Sequence, residues 1–389
     1  MQRMCERHGG EACNVSRGIW STLKDGRAVV GGAAVLCASL VMAGPASAET
    51  VFQALAPSET GPAFISCRNP FQTIGIVRKP EATLVYQTSP AGMEWQHRLP
   101  PMQSEYPQWY VDPDGAAAVV ALSPQAGRVF LVTGQDDPVV MTGAVGAVDF
   151  QGNRVLIETA SGTQGEDAPS RVRVYRIDSG RLVGDTTFHA EFGDDFRRFS
   201  IRLSGDGSFY YYLDSTMRPT AIDAVSGREI EFDWPAREMP IDDMLLYSKD
   251  RGYAVAGNKL YALGQGHEWH EVAIPDGTYA QSLVESGDSA IQPVMFPLGG
   301  WGVLHSGSGR WLIKKGRGAS AIHSRGSVLT VVGLTADSNV VDVYDFSGLK
   351  PRLLRSIASR DLVNRSTTCA NEHGILNYTD GKFVWHRMP

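Results

Sequence analysis

The segment Phe192–Phe199, FGDDFRRF, sets two carboxylates, Asp194 and Asp195, one residue away from two guanidinium groups, Arg197 and Arg198. Two more acids stand side by side at Asp242 and Asp243 in PIDDMLL, and SEYPQWY brings Tyr106 close to Trp109. Paired carboxylates offer hard oxygens to Ca2+ or a base for a proton. Arginine offers a planar fork of donors to an anion, and Tyr and Trp offer large rings with a polar tip. These eight residues are the candidate ligand- or partner-binding set; charge neutralisation between neighbouring loops is the competing account of them. No cofactor is expected, Ca2+ being the one ion the carboxylate pairs would suit. The histidines form no stronger pattern. HEWHE, His267–Glu271, looks metal-like, but on a strand His267 and His270 point to opposite faces and the HExxH spacing is absent. With no nucleophile elbow, phosphate loop or Cys–His pair, no catalytic or metal-ligating residue is nominated.

The first fifty residues bear on where these groups work. Arg17, Lys24 and Arg27 precede an apolar run of 14 residues, Val29–Met42, which is followed by AGPASA ending at Ala48. A positive flank, a run too short to span a bilayer and small residues at 46 and 48 describe a Sec-type signal peptide over 1–48, cleaved after Ala48. A retained anchor is the alternative. Export to a periplasm or secretion is expected, and no second long apolar run predicts a membrane span in the mature chain. The full chain of 389 residues carries a net charge of −6, and the leader takes five basic and three acidic residues, leaving the mature part at −8. Nucleic acid is therefore not an expected partner. The basic cluster RWLIKKGRG, Arg310–Gly318, reads as a solvated hairpin.

Three of the five cysteines fall in the leader, so only Cys67 and Cys369 remain, one near each end of the mature chain. In an oxidising compartment two such cysteines are expected to pair with each other; two separate buried thiols, or pairing with another molecule, are the alternatives.

The elements that must position the candidate residues are strands. Helical periodicity is nearly absent, and short runs of Val, Ile, Tyr and Phe end at Gly, Asp, Asn or Pro. A unit recurs in which a strand meets a tight Gly turn and a more hydrophobic strand leaves it, as in VDPDGAAAVVAL, VDFQGNRVLIET and IRLSGDGSFYYYL. Glycine suits these hairpins because they need positive φ. The turn glycines at 115, 152, 207, 252, 326 and 374 step by 37, 55, 45, 74 and 48 residues, and the long step conceals one more unit near Phe296. A second hairpin follows in VYRIDSG (Val174), AIDAVSG (Ala221) and VYDFSG (Val343), each carrying an aspartate ahead of a Ser-Gly turn. Two hairpins per unit make four strands, and four-stranded units of this length predict an all-β chain folded as a β-propeller. On these three copies the chain resembles the broad superfamily of secreted propellers with YVTN-type or quinoprotein-like repeats.

The expected architecture is a cleaved leader, an N-terminal linker over 49–63 and one propeller over 64–389. Seven four-stranded blades are expected, with strands from the two chain ends sharing one blade and a Cys67–Cys369 bridge locking it. The three consecutive tyrosines Tyr210–Tyr212 fit such a fold, since a strand sandwiched between neighbouring blades buries both faces. Function is expected at loops over the channel, in binding a protein partner or small ligand without catalysis. The alternatives are the large propeller subunit of a periplasmic dehydrogenase of the amine dehydrogenase type, or a propeller hydrolase or lyase.

Overall fold

Strand-forming runs punctuated by turn residues leave little room for helix, and the computed structural model is built almost wholly of antiparallel strands. It describes residues 49–53, 64–65 and 73–387, apart from 161–169, 189–200, 214–218, 233–239, 361–367 and shorter stretches in turns and loops. After β1 (Glu49–Gln53), the first sheet holds β2 (Phe64–Ile65), β3 (Thr73–Lys79), β4 (Ala82–Ser89) and β5 (Gly92–Leu99). The second holds β6 (Gln108–Val111), β7 (Ala117–Ala121), β8 (Gly127–Thr133) and the beginning of β9 (Val139–Gln151). The rest of β9 opens the third, with β10 (Arg154–Ala160), β11 (Ser170–Arg176) and β12 (Leu182–Phe188). The fourth is β13 (Arg202–Leu203), β14 (Phe209–Leu213), β15 (Pro219–Asp223) and β16 (Glu229–Ile230). The fifth is β17 (Ile241–Ser248), β18 (Arg251–Ala256), β19 (Lys259–Leu263) and β20 (Trp269–Val272). The sixth is β21 (Ser282–Leu283), β22 (Ile291–Phe296), β23 (Gly300–His305) and β24 (Arg310–Gly316). The seventh is β25 (Ala319–Arg325), β26 (Val328–Leu334), β27 (Asn339–Asp345) and β28 (Arg352–Ser359). The eighth joins β29 (Thr368–Asn371), β30 (Gly374–Thr379) and β31 (Lys382–Arg387) to β1 from the other end of the chain.

Every sheet is a meander of neighbouring antiparallel strands, the order a propeller blade requires. The described strands thus form eight four-stranded units, not the expected seven. The unit missed in the sequence is the first. Its hairpin between β3 and β4 turns on Pro80 and Glu81, with Lys79 paired to Ala82, and so lacks the glycine that marks the others. A second correction concerns 49–63. Residues 49–53 are the outer strand of the closing sheet, Glu49 pairing with His386 and Gln53 with Lys382, rather than linker. The chain ends do share one sheet. β9 serves two sheets, Val139–Gly143 pairing with β8 and Ala144–Gln151 with β10. Gly143 makes that transfer at φ 128, where a Cβ would stand 2.7 Å from the Ala160 carbonyl oxygen.

The core is a series of apolar layers between consecutive sheets. One layer joins Ile74, Val85 and Trp95 of the first sheet to Ala118, Val120 and Phe130 of the second. Another joins the third to the fourth through Leu156, Val174, Leu203 and Tyr210, with Tyr212 packed against it. Tyr211 and Phe209, on the other face of β14, join Met244, Leu246 and Ala254 of the fifth sheet. The tyrosine run therefore divides as its alternation predicts, 210 and 212 to one neighbour and 211 to the other. Middle strands such as β7 are buried at every residue because both their faces are covered.

The repeated segment with an aspartate ahead of Ser-Gly closes the hairpin between the third and fourth strands of a sheet. Asp223 Oδ1 accepts the backbone N–H of Val225 at 3.1 Å and of Ser226 at 2.8 Å, and Gly227 follows at φ 67. Asp345 accepts the N–H of Ser347 at 2.8 Å in the seventh sheet. The aspartate is thus a turn-former, satisfying donors that the tight turn leaves unpaired.

Candidate functional site

The strand that comes first along the chain in each sheet from the second to the seventh lies at the inner edge, so these strands line the channel. Three of them interrupt their apolar pattern with a charge: Asp149 on β9, Arg202 on β13 and Asp243 on β17. Glu285, two residues beyond β21, adds a fourth.

Two of the carboxylates bridge neighbouring sheets in the same way. Asp149 Oδ2 accepts the Leu203 N–H at 2.6 Å, from the third sheet to the fourth. Asp243 Oδ2 accepts the Leu283 N–H at 2.8 Å, from the fifth to the sixth, while its Oδ1 accepts the N–H of Met244 at 2.9 Å. At the intervening junction a phenol does this work. The buried Tyr211 hydroxyl accepts the Leu246 N–H at 3.1 Å and donates to the Met244 carbonyl at 3.4 Å. The reason is shared: short inner strands at a sheet edge have N–H groups with no ladder partner, and an orphaned buried donor is costly.

Arg202 lies among these groups. Its Nη1 is 4.0 Å from Asp243 Oδ1, beyond hydrogen-bonding reach, and its side chain is 40% exposed. Glu285 is exposed, and Gln151 Nε2 donates to its Oε1. Desolvation pushes the Asp149 carboxyl up to about 6, against the lowering effect of the Leu203 N–H and Arg202. Desolvation followed by the nearby Asp149 charge pushes Glu285 up to about 7, opposed by Arg202. Burial also raises the Tyr211 phenol well above its usual range.

A cavity of about 150 Å³ opens between the fourth and fifth sheets, lined by Arg202, Tyr211, Tyr212, Leu213, Asp242, Asp243 and Met244. Of the expected site residues, Asp242 and Asp243 therefore line a cavity together, with Asp242 exposed. Trp109, on β6, packs against the apolar layer between the first two sheets. Tyr106, Asp194, Asp195, Arg197 and Arg198 lie outside the described residues, as does Cys67; Cys369 falls on β29. His267 sits not on a strand but in the turn before β20, at φ 63, edge-on to Phe232. The basic segment Arg310–Gly316 is the outer strand of the sixth sheet and the second arm of the hairpin that pairs β23 with β24, His305 facing Arg310. Among the described residues no three His, Cys, Asp or Glu side chains are grouped to hold a metal. Arg202, Asp149, Glu285 and Tyr211 were not singled out as site residues from the sequence. The usable signal was a lone charge inside an apolar inner strand, as in AVDF, SIRL and LVES.

Meandering four-stranded sheets, inter-sheet cores and a closing sheet built from both chain ends define a β-propeller. No family model matches the chain, and no curated protein does. Solved structures of similar fold include BamB from Moraxella catarrhalis, at 14% identity and a TM-score of 0.47, covering 87% of this chain and 98% of that one. The β-propeller domain of Cps50 (Swd1) from Myceliophteria thermophila is similar at 10% identity and a TM-score of 0.44, covering 73% of this chain and 97% of that one. The tricorn protease is similar at 10% identity and a TM-score of 0.44, covering 79% of this chain and 37% of that one. The propeller is established here by strand pairing, and these likenesses are of fold alone. Among the described residues no helix is long and apolar enough to cross a membrane.

Proposed function

We propose that this chain is an exported propeller that binds a protein partner or small ligand at the mouth of its channel and catalyses no reaction. The observation that carries the reading is the cavity between the fourth and fifth sheets, where an exposed carboxylate, a partly exposed guanidinium and aromatic and apolar side chains meet. Rigid inner strands hold these groups, as a recognition site needs. Absence of catalysis is supported by how the polar groups are engaged. Asp149 and Asp243 accept backbone N–H groups, and the Tyr211 phenol keeps its proton and is no nucleophile at neutral pH.

Export fits the start of the fold. Cleavage after Ala48 would leave Glu49, the first residue of β1, as the new terminus, so the leader could be lost without removing any of the described strands. The proposed bridge between Cys67 and Cys369 would then tie the first sheet to the eighth.

The test is affinity capture from the native compartment with wild type, Asp242→Ala and Lys315→Ala. A partner retained by wild type and Lys315→Ala but lost by Asp242→Ala supports the proposal. Retention by Asp242→Ala with loss by Lys315→Ala places recognition on the outer strand β24 and refutes it. Stoichiometric metal or organic cofactor in the purified protein would turn the reading toward an enzyme.

A further inference from the structure

The Gln151–Glu285 hydrogen bond joins residues 134 positions apart, and the third and sixth sheets it connects are separated by two others. In a ring of sheets such a bond cannot run between neighbours; it must cross the channel. Both residues lie next to the hairpin that leads from an inner strand to the second strand of its sheet, so they meet at one end.

The described groups around this contact come from three inner strands and from the second strand of the fourth sheet. β9 supplies Asp149 and Gln151, β13 supplies Arg202, and β14 supplies the Tyr211 phenol. β17 supplies Asp243 and Tyr247, whose hydroxyl accepts the Ser286 N–H at 3.3 Å beside Glu285. With Asp149, Asp243 and Glu285 ionised, three negative charges face the single positive charge of Arg202. One proton on the cluster halves that excess.

We propose that Gln151 and Glu285 form a proton-dependent latch across the channel, holding the third and sixth sheets together while the axial carboxylates retain a proton and releasing them when it is lost. Neutral Glu285 accepts the Gln151 amide at no desolvation cost. Ionised, it gains hydration and distance from Asp149 by turning out of the channel, a gain set against the charge-assisted amide hydrogen bond it forfeits. Desolvation at Asp149, and at Glu285 desolvation together with the neighbouring Asp149 charge, raises the two carboxyls to about 6 and about 7 respectively. Both carboxyls sit above their ordinary values, so the latched state binds more protons than an open one. The latch is therefore firmest in mild acid and weakens as pH rises through 7.

The experiment is hydrogen exchange of the exported full-length protein from pH 5.5 to 8.5, corrected for intrinsic rates, read at the amides of Asp149–Arg154. In wild type the corrected opening is expected to rise on the order of tenfold across this range. Glu285→Gln, neutral at every pH, should keep the acid-side protection throughout, and Gln151→Ala should show the open-side rate even at pH 5.5. A flat wild-type profile overturns the latch without recourse to any variant. So does a Glu285→Gln profile that parallels wild type, or a Gln151→Ala protein as protected as wild type at pH 5.5.

Discussion

Replacing Tyr211 by Phe removes one oxygen and leaves the ring that fills the layer between the fourth and fifth sheets. That oxygen lies 3.1 Å from the Leu246 nitrogen and 3.4 Å from the Met244 carbonyl oxygen, and the residue is 2% exposed. Water cannot replace it without displacing the packed layer. The variant therefore leaves the Leu246 N–H unpaired, at a cost of about 1–3 kcal/mol for a buried donor. The longer bond to Met244 adds little, because hydrogen bonds weaken at that distance. The expected loss is about 2 kcal/mol, and urea unfolding should show it as a lower midpoint at unchanged slope. Tyr279→Phe is the control: its side chain is exposed, and the change should stay within about 0.5 kcal/mol. A Tyr211→Phe midpoint equal to that of wild type would mean that the phenol does not serve the neighbouring strand, and would undo the account of how inner strands are satisfied.

Gly184→Ala should be far more damaging. Its added Cβ would overlap the Ala224 carbonyl at the turn of the next sheet, and overpacking against backbone costs about 3 kcal/mol or more, read as lost soluble yield or a lower urea midpoint. Leu298→Gly should act in the opposite sense. Leu298 is fully exposed at φ 58, so glycine relieves left-handed strain and should raise stability by up to about 1 kcal/mol in thermal unfolding. Deleting Glu49–Gln53 strips the outer strand from the closing sheet and should cost on the order of 3 kcal/mol from its backbone hydrogen bonds alone; an unchanged melting temperature would show that β1 does not close the ring. Peptide mapping without reductant should find Cys67 joined to Cys369 and Glu49 as the N-terminal residue of the exported protein, and two free thiols would remove the proposed bridge.

Much of the fold was legible because its physics is local. Turn glycines such as Gly115, Gly152 and Gly207 adopt the positive φ that marks a hairpin, and the aspartates of the second repeat hold their own turns. The both-faced burial of Tyr210 and Tyr211 could be read from three aromatics in succession. The first sheet escaped notice because Pro80-Glu81 turns its hairpin without glycine, and β1 because five residues at a chain end reveal no partner until β31 is placed beside them. The channel cluster was hidden for a different reason. Asp149, Arg202, Asp243 and Glu285 come from four sheets and are spread over more than a hundred residues, so only ring closure brings them together. Of the doubled charges nominated from the sequence, Asp242 and Asp243 proved to lie on β17 and to line the described cavity, whereas Asp149, Arg202 and Glu285, single charges among apolar residues, gave no signal strong enough to be picked out.

The most direct test of the proposed function is where a bound partner protects the protein. Hydrogen exchange should be compared for the exported protein alone and in complex with whatever wild type, but not Asp242→Ala, retains from the native compartment. Binding at the channel mouth predicts new protection over Tyr211–Leu213 and Ile241–Met244, which line the cavity between the fourth and fifth sheets. Protection confined to the outer strand Arg310–Gly316, or to the hairpins at Gly152 and Gly207, would contradict it.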